Sequence, residues 1–157
     1  MIETRPYAAE DQEDFLTLYR ACLRHYDIPP ATAEQEERIL ALLASGRHMS
    51  CLLAHDGARP VGFATWALTF PAGAGVALYM KEIFVTGAAR GTGAGRALLA
   101  GLLDIAQAEG CVRFDWQTDG DNKNGQAFYT AINAPEKAKK TYRIMAAEFQ
   151  DFIDRLT

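Results

Sequence analysis

The stretch from Leu78 to Leu103 constrains the fold more than any other part of the sequence. Apolar and β-branched residues dominate Tyr79–Val85, which predicts a strand. The loop Arg90–Arg96 then places three glycines at alternate positions between two arginines, and an apolar helix is predicted over Ala97–Ala108. A strand, a glycine loop and a helix start form an anion-binding arrangement. The first helical turn has amides without intrahelical partners and a partial positive charge.

Three phosphate-binding patterns compete for this loop. The dinucleotide pattern G-x-G-x-x-G/A fits Gly91 and Gly93, but its last position is Arg96, which is too large for close helix–strand packing. A P-loop requires a lysine, and the loop has none. The third pattern, Arg/Gln-x-x-Gly-x-Gly/Ala after a strand ending in Val, begins at Arg90 and ends at Gly95. A simple helix-capping turn is the remaining alternative, and three glycines are a costly way to begin a helix.

Composition narrows the class of protein. A chain of 157 residues with 49% hydrophobic and 23% charged residues suits a single globular domain, residues 1–157. The net charge of −4 argues against nucleic acid as a partner, because binding to the phosphate backbone favours a basic surface.

The cysteines and histidines show no metal-binding spacing. Cys22, Cys51 and Cys111 are scattered among apolar neighbours, which predicts reduced core residues in a cytoplasmic protein without a metal. The N-terminal residues lack the apolar core of a signal peptide, and no stretch is long enough to cross a membrane.

Hydrophobic periodicity predicts alternating strands and helices. The strands are expected at Ile2–Arg5, His48–Ala54, Val61–Phe70, Val76–Val85, Arg113–Thr118 and Thr141–Ala146. The helices are expected at Ala8–His25, Thr32–Ser45, Ala97–Ala108, Asn124–Ile132 and Glu148–Leu156. Asp56-Gly57 predicts a hairpin turn, whereas the strand after the central helix should run parallel to the one before it.

A second group of residues follows the central helix: Asp115-Trp116, Asn122, Phe128-Tyr129 and Asn133-Ala134. With the glycine loop, the sequence over residues 61–142 resembles the GNAT superfamily of N-acetyltransferases. This second group resembles the E-W…W-N…A-x-x-F-Y-x-x-x-G-A pattern of its diamine acetyltransferase-like branch. Asp115 replaces Glu, Asp121 replaces the second Trp, and Asn133 replaces Gly. Asn tolerates left-handed backbone, so the last change is mild.

The resemblance implies a fold and a reaction. The fold would be α+β, an α/β/α sandwich whose mixed, mostly antiparallel sheet of six to seven strands has helices on both faces. The activity would be direct acetyl transfer from acetyl-CoA, without a metal, to a primary amine of a small molecule. The first two helices and their link would form one wall of the acceptor site, and family members often form homodimers through their C-terminal strands.

The resemblance also implies roles in binding acetyl-CoA. The pantetheine arm would pair with the central strand near Ile83, Phe84 and Val85. Its pyrophosphate would lie on the loop residues Arg90, Gly91, Thr92, Gly93, Ala94, Gly95 and Arg96. Asn122 would hydrogen-bond the pantetheine part, and Phe128 would pack near the cofactor.

Two residues are expected to be catalytic. The attacking amine must be neutral, and the leaving thiolate must be stabilised. By resemblance, the hydroxyl of Tyr129 would lie near the CoA sulfur and protonate the thiolate, and Glu82 would take the amine proton through water. A core tyrosine and a surface ion pair of Glu82 with Lys81 are the simpler alternatives.

Lys81 departs from the pattern of polyamine acetylators, and this difference affects which acceptor amine is expected. Polyamine acetylators carry acidic residues here, so a lysine beside Glu82 suits an amine that also bears a carboxylate or phosphate. Adjacent strand residues face opposite ways unless a bulge intervenes, and the sequence leaves the orientation open. Peptide or protein acetylation, which needs an acceptor groove not closed by Tyr26–Ala31, is an alternative. A non-catalytic CoA-binding domain is another, and a nucleotide-binding Rossmann domain suits the initial hairpin poorly.

Overall fold

The computed structural model describes residues 1–71, 73 and 75–156, and these residues form two compact units. The first unit, Met1–Gln117, contains the sheet with three helices, and the second begins at Thr118 and contains two further helices.

Five strands build the sheet of the first unit. They are β1 (Ile2–Pro6), β2 (Ser50–Asp56), β3 (Arg59–Thr69), β4 (Ala77–Val85) and β5 (Arg113–Asp115). The strands lie in sequence order, the first four pair antiparallel, and β5 pairs parallel to β4. The predicted mixed, mostly antiparallel sheet is therefore confirmed. The predicted count of six to seven strands is wrong, because the described residues form five.

The described residues form five α-helices. They are α1 (Gln12–His25), α2 (Ala33–Ser45) and α3 (Ala94–Ala108) in the first unit, and α4 (Lys123–Ala131) and α5 (Phe149–Leu156) in the second. The helix α2 begins where Thr32 accepts a hydrogen bond from the Gln35 amide, and it ends at Gly46 in left-handed backbone (φ 59°). Threonine and glycine are residue types that favour these two capping positions, and the helix agrees with the predicted range Thr32–Ser45 to within one residue.

The helices α1 and α3 pack against opposite faces of the sheet. On one face, Phe15 of α1 meets Phe63 with ring centroids 5.4 Å apart, and both belong to a core that includes Leu53. On the other face, α3 comes so close that a Cβ on Gly101 would lie 2.7 Å from Cδ2 of Leu52. Because Leu52 and Leu53 are adjacent in a strand, their side chains point to opposite faces. The expected helices on both faces are confirmed within this unit.

A bulge interrupts the pairing of β3 with β4. Thr65 pairs with Glu82 but Trp66 pairs with Met80, so Lys81 is an extra residue on β4. An extra residue breaks the alternation of side chains and increases the local twist. The sequence left this point open, and the structure supplies the bulge that lets neighbouring side chains share one side.

The predicted last strand, Thr141–Ala146, is wrong. Residues 141–145 have no regular secondary structure, and a 3₁₀ turn follows at Ala146–Glu148. Tyr142 is 86% exposed, and the described residues give this segment no strand partner. A strand requires a neighbour for its backbone groups, and side-chain preference alone does not supply one. The predicted strand Arg113–Thr118 is likewise shorter, because β5 ends at Asp115.

The end of α4 confirms an expectation about Asn133. This residue has left-handed backbone with φ 54°, and the amide of Ala134 donates to the Tyr129 carbonyl at 3.0 Å. Asn is the residue other than glycine that most readily adopts this conformation. Asn133 therefore ends α4 in the left-handed conformation that asparagine was expected to tolerate.

Two of the three free cysteines lie in the core. Cys22 and Cys51 are buried, and burial raises the pKa of each thiol to about 12. Cys111 is partly exposed. At neutral pH the first two thiols remain protonated and act as small apolar side chains.

Candidate active site

The glycine loop forms the start of α3. Left-handed backbone occurs at Gly91 (φ 79°) and Gly93 (φ 96°), a conformation that other residues adopt at a cost. The Thr92 hydroxyl donates to the Ala89 carbonyl at 2.7 Å and closes the turn before the helix. The helix begins at Ala94, three residues before the predicted Ala97, so part of the predicted loop is its first turn.

This helix start offers backbone donors to a ligand. Gly93 occupies the capping position without a capping side chain, and residues 90–93 are exposed. Within the part of the chain that the structure describes, no residue accepts a hydrogen bond from the amides of Gly91, Gly93, Ala94 and Gly95. Amides without an acceptor at the positive end of a helix suit an anion such as a pyrophosphate.

Arg90 is held at the mouth of the loop by two contacts. Its Nε donates to the Val85 carbonyl at 3.4 Å, and its Nη2 donates to Nε2 of His25 at 2.9 Å. The His25 ring lies 6.0 Å from the Phe84 ring, centroid to centroid. His25 was not predicted as a site residue, because it is 65 positions from Arg90 and no local pattern connects them. The other arginine of the loop, Arg96, is exposed.

The strand β4 continues well beyond its neighbour β5. Pairing with β5 covers only Ala77–Tyr79, and within the described residues no strand pairs with the far half of β4 on that side. The Val85 carbonyl faces this open edge, because it accepts from Arg90. Backbone N–H and C=O groups point to alternate sides along a strand. Those of Ile83 therefore also face the open edge, whereas those of Phe84 face β3. The Phe84 side chain is buried in the core.

Glu82 and Lys81 form an ion pair at the bulge. Their side chains are 52% and 54% exposed, and Lys81 Nζ lies 3.0 Å from Glu82 Oε1. The amide of Glu82 donates to the hydroxyl of buried Thr65 at 3.2 Å, which holds the backbone in place. Both side chains therefore reach the same solvent-accessible region.

The carboxylate of Glu82 lies on the side of the sheet that α1 covers. Burial raises the pKa of the Tyr19 hydroxyl, and Cys22, Glu36 and Glu82 make smaller contributions in the same direction. Glu82 also adds to the effect of burial on the Cys22 thiol. Phe84 packs in the core with Phe15 of α1, and Glu82 lies two residues away on the same strand, so the predicted base is on the face of the sheet that α1 covers.

An open cleft of about 550 Å³ lies between α1, α2 and the segment that links them. We call it the α1–α2 cleft, and its lining residues are Tyr19, Leu23, Ile28, Pro29, Pro30, Ala31, Gln35, Arg38 and Ile39. It occupies the region that the sequence analysis expected to form an acceptor wall. Arg38 and Gln35 were not predicted as site residues, because an exposed charge on a helix has no distinguishing pattern.

The remaining predicted site residues belong to the second unit. The Oδ1 atom of Asn122 accepts from the Gly125 amide at 3.0 Å and caps α4. Phe128 and Tyr129 are partly buried, with ring centroids 5.3 Å apart. Asn122 thus has a structural role as a helix cap, and its side-chain Nδ2 still offers a donor.

The described residues contain neither a membrane-spanning helix nor a cluster of metal-binding side chains. None of the described helices is long and apolar enough to cross a membrane. Across residues 1–71, 73 and 75–156, no three His, Cys, Asp or Glu side chains gather as a metal site.

Similar proteins point to one family. The sequence model of the Acetyltransferase (GNAT) family matches residues 12–133 of this chain. A thialysine N-epsilon-acetyltransferase of Caenorhabditis elegans is 26% identical over 65% of this chain, and the match covers 66% of that protein, just under two thirds.

Solved structures share the fold. An integron cassette protein from the mobile metagenome of V. cholerae has a TM-score of 0.82 and 26% identity over 97% of both chains. The aminoglycoside acetyltransferase AAC(6')-Iy, solved with a CoA-containing bisubstrate analog, has a TM-score of 0.78 and 17% identity, covering 93% of this chain and 99% of that one. Because the family description covers most of the sequence, including the glycine loop and Tyr129, the chain belongs to the GNAT family of acetyltransferases.

Proposed function

We propose that this protein transfers an acetyl group from acetyl-CoA directly to a primary amine of a small molecule. The observation that carries the proposal is the open edge of β4 at Ile83 and Val85, which leads to the donor-rich loop at Arg90–Gly95. An extended pantetheine arm could add to this edge as a strand does, and its pyrophosphate would meet the helix start.

The chemistry assigns one task to each group. The Ile83 amide at the open edge would polarise the thioester carbonyl, as a donor in an oxyanion hole does. Glu82 would accept the proton of the attacking amine through water. Tyr129 would protonate the leaving thiolate, because a phenol of pKa about 10 suits a thiol of pKa about 8.5. Asn122 and Phe128 remain the proposed contacts to the cofactor in the second unit.

Acetyl-CoA binding is the first step to test. We expect the purified protein to unfold at a higher temperature with acetyl-CoA or CoA, and to be unaffected by NAD. A ligand at about a hundred times its Kd stabilises the native state by about 2.7 kcal/mol. The absence of a shift with saturating acetyl-CoA would remove the proposal, and a shift with NAD alone would favour a nucleotide-binding domain.

Turnover is tested with Tyr129→Phe and a panel of small amines, by following thiol release. Loss of a general acid lowers kcat by about 100-fold or more, while the stabilisation by acetyl-CoA should stay unchanged. Thr130→Val removes an exposed hydroxyl from the same helix and serves as the control. Acetyl-CoA binding without thiol release for any amine or peptide would indicate a non-catalytic CoA-binding domain.

A further inference from the structure

The α1–α2 cleft has an unusual balance of apolar surface and charge. Most of its wall is apolar, from Leu23, Ile39 and the linking segment that contains Pro29 and Pro30. Its polar lining consists of Tyr19, Gln35 and Arg38, and Arg38 is the one charged residue among the described residues that line it. A chain with a net charge of −4 thus presents a cation to this cleft.

Glu36, an acidic residue of the same helix as Arg38, is engaged by another arginine. Glu36 binds Arg20 of α1 through two hydrogen bonds of 2.8 and 2.6 Å, and the Arg20 guanidinium lowers the pKa of the Glu36 carboxyl. Gln35 uses its Oε1 to accept from the Thr32 amide at 2.9 Å. No described carboxylate lies within ion-pair distance of Arg38. Its guanidinium is therefore available to an anionic group that enters the cleft.

Tyr19 connects this cleft to the proposed base. Its ring lines the cleft and packs against the core cluster that includes Phe84, and Glu82 lies two residues from Phe84 on the same face of β4. At the Glu82 end, Lys81 already neutralises the carboxylate at 3.0 Å. A substrate with two ammonium groups would therefore find one partly neutralised acid at one end and a guanidinium at the other, which is unfavourable.

From these contacts we infer that the acceptor is an amine that also carries a carboxylate, which Arg38 binds in the α1–α2 cleft. The amino group lies toward Glu82, and the carbon chain between the two groups packs along Tyr19 and the apolar wall. This inference rests on the proposed function and deepens it. One guanidinium matches the single charge of a carboxylate, whereas a phosphate carries a charge of about −1.5 to −2 and calls for further cations.

The test compares acceptors that differ in a single group. The panel contains ω-amino acids, n-alkylamines and diamines with matched chain lengths, together with O-phosphoethanolamine. We expect kcat/KM to be at least about tenfold higher for the best amino acid than for the matching alkylamine or diamine, mainly through KM. The alkylamine and the diamine have no carboxylate and cannot form the charge-assisted bidentate pair with Arg38. A preference for diamines or for the phosphate would overturn the inference.

The variant Arg38→Gln tests whether Arg38 is the residue that binds the carboxylate. It should lower kcat/KM about tenfold or more for the amino acid and leave the alkylamine unchanged, with acetyl-CoA stabilisation intact. Arg47→Gln removes the same charge outside the cleft and should change neither acceptor. An equal loss for all acceptors in Arg38→Gln would contradict the inference. Acetylation of amines without any carboxylate preference would overturn it while leaving the proposed function in place, whereas failure to bind acetyl-CoA would remove the function itself.

Discussion

The two compact units differ in how much apolar surface they bury. In the first unit Leu53, Leu78, Leu98 and Leu102 are all 0% exposed. Among the described residues of the second unit, none is fully buried, and Leu156 in α5 is 73% exposed. Both stretches of sequence contain apolar residues at regular spacing, but only the first places them around a shared core.

This difference explains where the predicted secondary structure is confirmed and where it is wrong. The strands that carry Leu53 and Leu78 pair with neighbours and pack against helices, so pattern and structure agree. The predicted strand Thr141–Ala146 has similar residues but stays exposed and irregular. A regular spacing of apolar residues predicts secondary structure reliably where their side chains become buried, because burial offsets the loss of conformational entropy.

A matched pair of leucine truncations tests this contrast most strongly. Leu102→Ala in α3 should lower the free energy of unfolding by about 2–5 kcal/mol, because it leaves a cavity in the core. Leu156→Ala in α5 should change it by less than about 0.5 kcal/mol, because that side chain is exposed. Urea unfolding measures both values, and equal losses would mean that the comparison of the two units is wrong.

Acid sensitivity is the next prediction, and it concerns the first unit. Buried Asp11 accepts from Arg5 Nη1 at 2.6 Å and from the Ala8 amide at 2.8 Å, and the bond from Arg5 is the main cause of its lowered pKa. A lowered carboxyl pKa stabilises the fold above the unfolded-state pKa of about 4, and this contribution disappears as the pH falls toward the lower native pKa.

Removing this carboxylate should therefore weaken the dependence of the free energy of unfolding on pH in acid. Asp11→Asn should cost about 1 kcal/mol at neutral pH, a modest value because Arg5 is half exposed, and the loss of stability below about pH 4 should become shallower. Asp104→Asn removes an exposed carboxylate of α3 as a control. An unaltered pH profile for Asp11→Asn would show that the pair contributes nothing.

The smallest effect is expected in the second unit, at Asn133. Because this residue has φ 54°, Asn133→Gly should relieve strain and stabilise the end of α4 by a few tenths of a kcal/mol, up to about 1 kcal/mol. Ala127→Gly within the same exposed helix should destabilise it by about 0.5–1 kcal/mol. Amide hydrogen exchange in α4 measures both, and a loss of protection in Asn133→Gly would contradict the proposed capping role.

Much of the candidate site could be predicted from local sequence. The glycines at positions 91 and 93, the arginine at 90 and the strand that ends at Val85 are contiguous, so their proximity follows from chain connectivity. His25, Thr65 and Arg38 could not be predicted as neighbours of the site, because each comes from a distant element. Only packing of α1 and pairing of β3 bring the first two beside Arg90 and Glu82.

The sequence by itself predicted the strands and helices of the first unit in their order, the tolerance of Asn133 for left-handed backbone and the glycine loop at the start of α3, because these depend on backbone preferences of neighbouring residues. The tertiary structure decided the number of strands, the open edge of β4 and the bulge at Lys81. Each of these depends on which strand pairs with which, and in what register. Strand pairing joins residues far apart in the chain, so local periodicity does not encode it.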